Sequence, residues 1–210
     1  MSTDFFDTDP GWPYSRAKTA VIRAAAAVIR ESGPRAATLK NIAARAGITE
    51  PAIFRHFEGV DGLFDGLFFV FERMFGTIDA CFTCPEKGFE RFLAGMRGTV
   101  GIFSKSKDLA YLVLHAEHVF RGYGSYRKRV AELRAVDQAA VFGALLEARE
   151  LGEIPADADL KSIGIAFYGV IHLTVHGWIE AAEDKDFDLL AVANERIEGI
   201  RKLFAFHRPA

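Results

Sequence analysis

Side chains able to do chemistry are few in this chain, and their spacing narrows what they can do. Cys81-Phe82-Thr83-Cys84 forms a single CxxC. Such a pair can be half of a metal site or a redox couple. A structural zinc site needs four ligands, however, and no second CxxC exists. A thioredoxin-like βαβ pattern is also absent around it. His172 and His176 stand at i and i+4, with Glu180 one turn further, so all three can share one helical face. That spacing permits metal binding; the other reading places the histidines at a dimer interface or pocket wall. His115 and His118 are open to the same two readings. Asp157 and Asp159 adjoin a helix start, where capping and the helix dipole account for them. No Gly-rich phosphate loop, nucleophile elbow or H-E-x-x-H occurs. No enzymatic activity, cofactor or metal ligand is therefore assigned.

A different chemistry is written into residues 39–57, LKNIAARAGITEPAIFRHF. Leu39, Ile42, Ala46, Ile48, Ile53 and Phe57 can share one small core, and Ala43 lets a second helix cross closely. Gly47 supplies the positive φ of a sharp helix-to-helix turn. Thr38 can cap a helix over Leu39–Ala46. Thr49 can cap a second over Glu50–Phe57, with Pro51 in its first turn. Thr49, Glu50, Ala52, Phe54, Arg55 and His56 then lie near the outer face of the second helix, the end that enters the major groove in a DNA-binding helix-turn-helix.

The elements around this unit read as helices throughout. Apolar residues recur at three and four, and the one Asp-Gly pair, Asp61-Gly62, lacks flanking alternation. A first helix spans about 15–32, with Ser15 as N-cap and Gly33-Pro34 as its end. After Gly59 a long apolar helix covers about 61–81. Others fall near 87–104, 108–121, 126–151, 159–182 and 187–206, with breaks at Pro85, 105–106, 122–124, 152–155 and 183–186. The fold class is all-α.

Composition agrees with a packed protein. The chain has 210 residues, 50% hydrophobic, including 19 Phe. Charged residues interrupt every apolar run before the roughly 18 residues of a membrane span. Asp4, Asp7 and Asp9 do not suit a signal peptide, and two cysteines fit a reducing compartment. A cytoplasmic protein without membrane attachment is expected. Net charge is -2, but residues 11–60 hold eight Lys/Arg against three acids. That basic segment on an acidic body suggests that one end faces a polyanion.

The ordered set Gly33, Thr38-Leu39, Ile42-Ala43, Ala46-Gly47-Ile48, Ile53-Phe54-Arg55-His56-Phe57 and Leu63 resembles the DNA-binding domain of the TetR family of bacterial regulators. The resemblance covers about Ser15 to Leu67. It implies that Thr49, Glu50, Ala52 and His56 face bases or nearby phosphates, and that Thr38 and Lys40 contact the DNA backbone. With Pro51, Phe54 and Arg55 they form the candidate DNA-binding set. Two positions depart from the family pattern. Phe54 stands where a Tyr is usual and Val60 where a Lys is usual; each removes a phosphate contact, so lower affinity or compensation from Arg16, Lys18 and the helix N-termini is expected.

The resemblance further implies an arm over 1–13, a helix-turn-helix domain over 14–60 and a ligand-binding and dimerisation domain over 61–210. A homodimer would form through the last two helices and read a pseudo-palindromic operator in double-stranded DNA. The sequence supports this independently. Residues 160–179 are apolar on several faces, with Gly164, Gly169 and Gly177 allowing close approach, and the last helix offers Leu189, Leu190, Val192, Ile197, Ile200, Leu203 and Phe204. The Phe-rich helix after Gly59 suggests a small apolar or aromatic effector. Candidate ligand-binding residues are Phe68, Phe71, Phe92, Met96, Leu114, His118, Phe167 and Tyr168, with His172 as polar anchor. The expected function is a ligand-released repressor. The alternatives are a metal- or thiol-responsive regulator of the same fold, and a helical ligand-binding protein with weakened DNA contacts.

Overall fold

A computed structural model describes residues 5–8, 11–122, 124–182 and 186–203. Phe204, the expected helix end at 206 and residues 183–185 of the expected break lie outside them. Regular structure among the described residues is helical. It comprises α1 (Phe5–Thr8), α2 (Arg16–Ser32), α3 (Leu39–Ala46), α4 (Glu50–Ile53), α5 (Gly59–Cys81), α6 (Gly88–Phe103), α7 (Lys107–Leu114), α8 (Ala116–Val119), α9 (Gly124–Glu150), α10 (Leu160–Glu180) and α11 (Leu189–Leu203). The expected helix over 108–121 is interrupted at His115, whose φ of -109° and ψ of 20° separate α7 from α8.

The chain divides into two compact units, residues 1–74 with 105–130 and residues 75–104 with 131–210. In the first, α2 packs against both α3 and α7. That double contact explains why Val21, Ile22, Ala24–Ala27, Val28 and Ile29 are all buried rather than a single stripe. Ser15 caps α2 by accepting from the Lys18 N–H. Ile22, Ile29, Ile42, Ile53 and Leu63 are fully buried, each contributing about 1.5–3 kcal/mol of burial free energy. Phe120 centres an aromatic cluster with Phe64, Phe68, Phe71 and Tyr126.

The segment expected as an arm contains α1, whose Phe5 and Phe6 are buried. Phe6 meets Trp12 edge-on at 4.8 Å, and the Trp12 indole donates to Thr19 Oγ1 at 2.7 Å. Aromatic burial at both ends of this short stretch fixes it to the unit.

In the second unit α10 packs against α11 and α6. Its Ile163, Phe167, Ile171, Val175 and Ile179 are buried, and Phe167 meets Phe92 edge-on at 4.9 Å. The expectation that charge interrupts every apolar run fails at α10: residues 162–179 hold no Asp, Glu, Lys or Arg, and the helix is long and apolar enough by composition to cross a membrane, a test that the core helix of a helical bundle also passes. Asp159 caps it by accepting from the Lys161 and Ser162 N–H groups, as the sequence suggested. Phe82 packs so closely on α6 that Gly95 leaves no room for a Cβ.

Candidate nucleic-acid interface

Thr38 opens α3 in extended geometry, and its hydroxyl accepts from the Asn41 N–H at 3.3 Å. The Asn41 amide donates to the Ala36 carbonyl at 2.8 Å, fixing the lead-in to α3 as well. At the other end Gly47 adopts φ 68°, in the left-handed region. The Gly47 N–H bonds to Ala44 O and the Ile48 N–H to Ala43 O, the paired bonds of a Schellman turn. The sequence placed Ile48 in the small core, but it is 37% exposed. It belongs to the turn itself, so its side chain is carried outside the packing of the two helices.

The second helix is shorter than expected. Regular α-helix covers Glu50–Ile53 only, and bonds to the third residue back then tighten the chain: Arg55 to Ala52 O and His56 to Ile53 O. The Phe57 N–H returns to Ile53 O, so the turn still delivers Phe57 to the core. Thr49 makes no side-chain cap bond. Pro51 has no N–H to give, and the Ala52 N–H bonds to the Thr49 carbonyl, which leaves the hydroxyl without a backbone donor.

These turns set the candidate DNA-binding residues on the surface of one unit. Thr38, Lys40, Thr49, Glu50, Pro51, Phe54 and Arg55 are exposed, and Ala52 and His56 are half-buried. The Phe54 ring is 58% exposed, a large apolar group with no hydroxyl to offer a phosphate. Val60 is half-buried. Lys18 is not a free substitute cation: its ammonium lies 4.1 Å from the Tyr14 ring centroid and 4.9 Å from that of Phe57. Arg16 is exposed. Sequence reasoning passed over Asn41 and the Arg45–Glu31 pair at 3.0 Å, which ties α3 to α2. Asn41 three residues after a capping Thr was the available signal; the Arg45–Glu31 pair has no local signature.

The candidate ligand-binding residues fall in both units. In the first, Phe68 and Phe71 belong to the Phe120 cluster, Leu114 is half-buried and His118 is exposed. In the second, Phe92, Met96 and Phe167 are buried, whereas Tyr168 is exposed and His172 half-buried. The His172 and His176 rings stack at 6.5 Å. Burial, then His176 and Arg134, hold the His172 pKa below the ordinary value. Nearby, burial raises Asp79, and its Oδ1 is buried without a hydrogen-bond partner. Burial, and then the charge of Asp79, push the Asp137 carboxyl up to about 6 against the pull of Arg134. Burial and a hydrogen bond with Glu86 push the Cys84 thiol up, the wrong direction for a reactive thiolate. Among the described residues no three His, Cys, Asp or Glu side chains are placed to hold a metal ion.

Residues 21–67 match the family model described as bacterial regulatory proteins, tetR family. The chain carries a TetR-family N-terminal domain. No curated protein sequence matches it. Solved structures of TetR-family and other regulators share its fold over most of their length. The ketosteroid transcriptional regulator KstR2 of Mycobacterium tuberculosis superposes with a TM-score of 0.79 at 15% identity, over 93% of this chain and 98% of that one. The regulator FadR of Bacillus subtilis, in complex with stearoyl-CoA, gives 0.64 at 22% identity, over 90% and 99%. AibR, in complex with isovaleryl coenzyme A and operator DNA, gives 0.70 at 16% identity, over 88% and 97%. Residues 21–67 are thus a TetR-family helix-turn-helix domain, and the whole chain shares the all-helical fold of these solved regulators.

Proposed function

We propose that this cytoplasmic protein is a repressor that binds a pseudo-palindromic operator as a homodimer and leaves it when a small apolar or aromatic effector binds. The observation that carries the DNA reading is the outer surface of α3, α4 and the turn after them. Seven of the nine candidate residues are exposed there, held by two fixed turns and an apolar core. In this reading Thr38 and Lys40 meet phosphates, while Thr49, Glu50, Ala52 and His56 face base edges or phosphates nearby. Arg55 is long enough for either.

Residues 14–60 are assigned to DNA and 61–210 to effector and partner. Two similar structures hold an acyl-CoA, which supports an effector with an extended apolar part. The dimer is assigned to α10 and α11, where Ile165, Tyr168, Leu173 and Leu190 leave apolar surface exposed. Fluorescence anisotropy of purified protein on DNA flanking its own gene, with a scrambled duplex beside it, tests this reading. Selective binding that weakens as salt rises is expected. Equal affinity for both duplexes, repeated with operators selected from genomic fragments, would overturn it.

A further inference from the structure

A recess lies within the first unit and includes Thr38 of the candidate DNA-binding set in its wall. It measures about 890 Å³ and is walled by the end of α2, the start of α3, the first turn of α5 and the chain just after α8. That volume lies within the roughly 300–1,000 Å³ usual for sites of small organic ligands. Phe64 and Val119 are buried beneath it and Leu39 and Val60 supply further apolar wall. Arg35, His118 and Arg121 stand at its rim, and its thirteen lining residues include no Asp or Glu. Arg35 and Arg121 are exposed and make no ion pair or hydrogen bond among the described residues. Three other arginines of the unit are matched, Arg30 with Asp108, Arg45 with Glu31 and Arg129 with Glu72, while Arg16, Arg55 and Arg127 are exposed as Arg35 and Arg121 are but do not line the recess.

Two uncompensated guanidinium groups over an apolar floor favour one kind of occupant. A carboxylate accepts two parallel bonds from a guanidinium fork, while an alkyl or aryl body displaces water from Phe64 and Leu39. We propose that this recess, whose lining shares only His118 with the candidate effector residues, binds a small organic anion with an apolar body. Such an occupant touches Thr38 and Leu39, which open α3, so its binding is linked to the placement of α3. The site stands whether or not the operator reading does, because its test needs no DNA.

The test is calorimetric titration of the full chain with octanoate, with octanol and octylammonium as neutral and cationic counterparts. Octanoate is expected to bind about tenfold tighter than either, a difference of one charge-assisted contact. Arg35→Gln with Arg121→Gln is expected to lose at least about tenfold in octanoate affinity, and Arg35→Lys with Arg121→Lys to keep most of it. Both arginines are exposed, so circular dichroism of either variant should match the parent. No octanoate binding by the parent chain, or equal binding by parent and glutamine variant, overturns the proposal. If octanoate fails to bind while the glutamine variant flattens the salt dependence on duplex DNA, the two cations serve the DNA backbone instead.

Discussion

Arg55 and Asp137 show two ways in which a single side chain matters. Arg55 is exposed beside the turn that follows α4 and carries charge without a share in the core. Arg55→Ala is therefore expected to weaken operator binding by about tenfold and to lower the salt slope by about one if the contact is to phosphate. Its thermal unfolding should match the parent's, and unchanged affinity across the salt series would remove Arg55 from the interface. Asp137 acts through stability. Its folded pKa of about 6 lies above the ordinary carboxyl value of 3.8, so the folded state holds the proton more tightly than the unfolded chain. Stability from this group is present in full below about pH 4 and is lost as pH rises through about 6. Asp137→Asn is expected to gain about 1–2 kcal/mol near pH 7 and to flatten the loss of stability between pH 4 and 7. Urea titrations at several pH values would show this; parallel pH profiles would refute it.

At the scale of elements, close helix packing constrains the chain more than any motif does. α6 approaches Phe82 at Gly95 and Cys81 at Gly98 without room for a side chain. Gly95→Ala would drive a methyl group into the Phe82 ring and is expected to destabilise the second unit by about 1–3 kcal/mol. A urea midpoint equal to the parent's would mean that the ring swings aside freely. Thr38, Gly47 and Asp159 were legible as helix ends because capping and left-handed turns depend on neighbours one to four residues away. The early end of α4 was less so. After Ile53 the bonds tighten to the third residue back, and Phe57 is still delivered to the shared core, which no short-range pattern specifies.

At the scale of the whole molecule, α10 carries apolar surface that the proposed partner subunit would cover. Leu173 is 68% exposed and Ile165 62%, on a helix whose opposite side is fully packed. In the proposed homodimer Leu173→Arg would place a charge in an apolar seam and is expected to give monomers in light-scattering chromatography, with operator affinity falling at least about tenfold. A variant that stays dimeric would move the interface elsewhere. Fold class, element order and the helix-turn-helix domain were readable here because helical periodicity and the 39–57 pattern are properties of the chain alone.

The sequence by itself determined the helices, their caps and the helix-turn-helix, since each depends on residue types within a turn or two of one another. Tertiary structure decided which of many equivalent apolar residues became core. Phe68 and Phe71 join the Phe120 cluster, Phe92 meets Phe167, and Ile48 is left outside. It also decided that Lys18 lies over two rings while Arg35 and Arg121 remain unmatched. Long-range contacts set burial and charge pairing, and no short-range pattern encodes which distant residue will arrive.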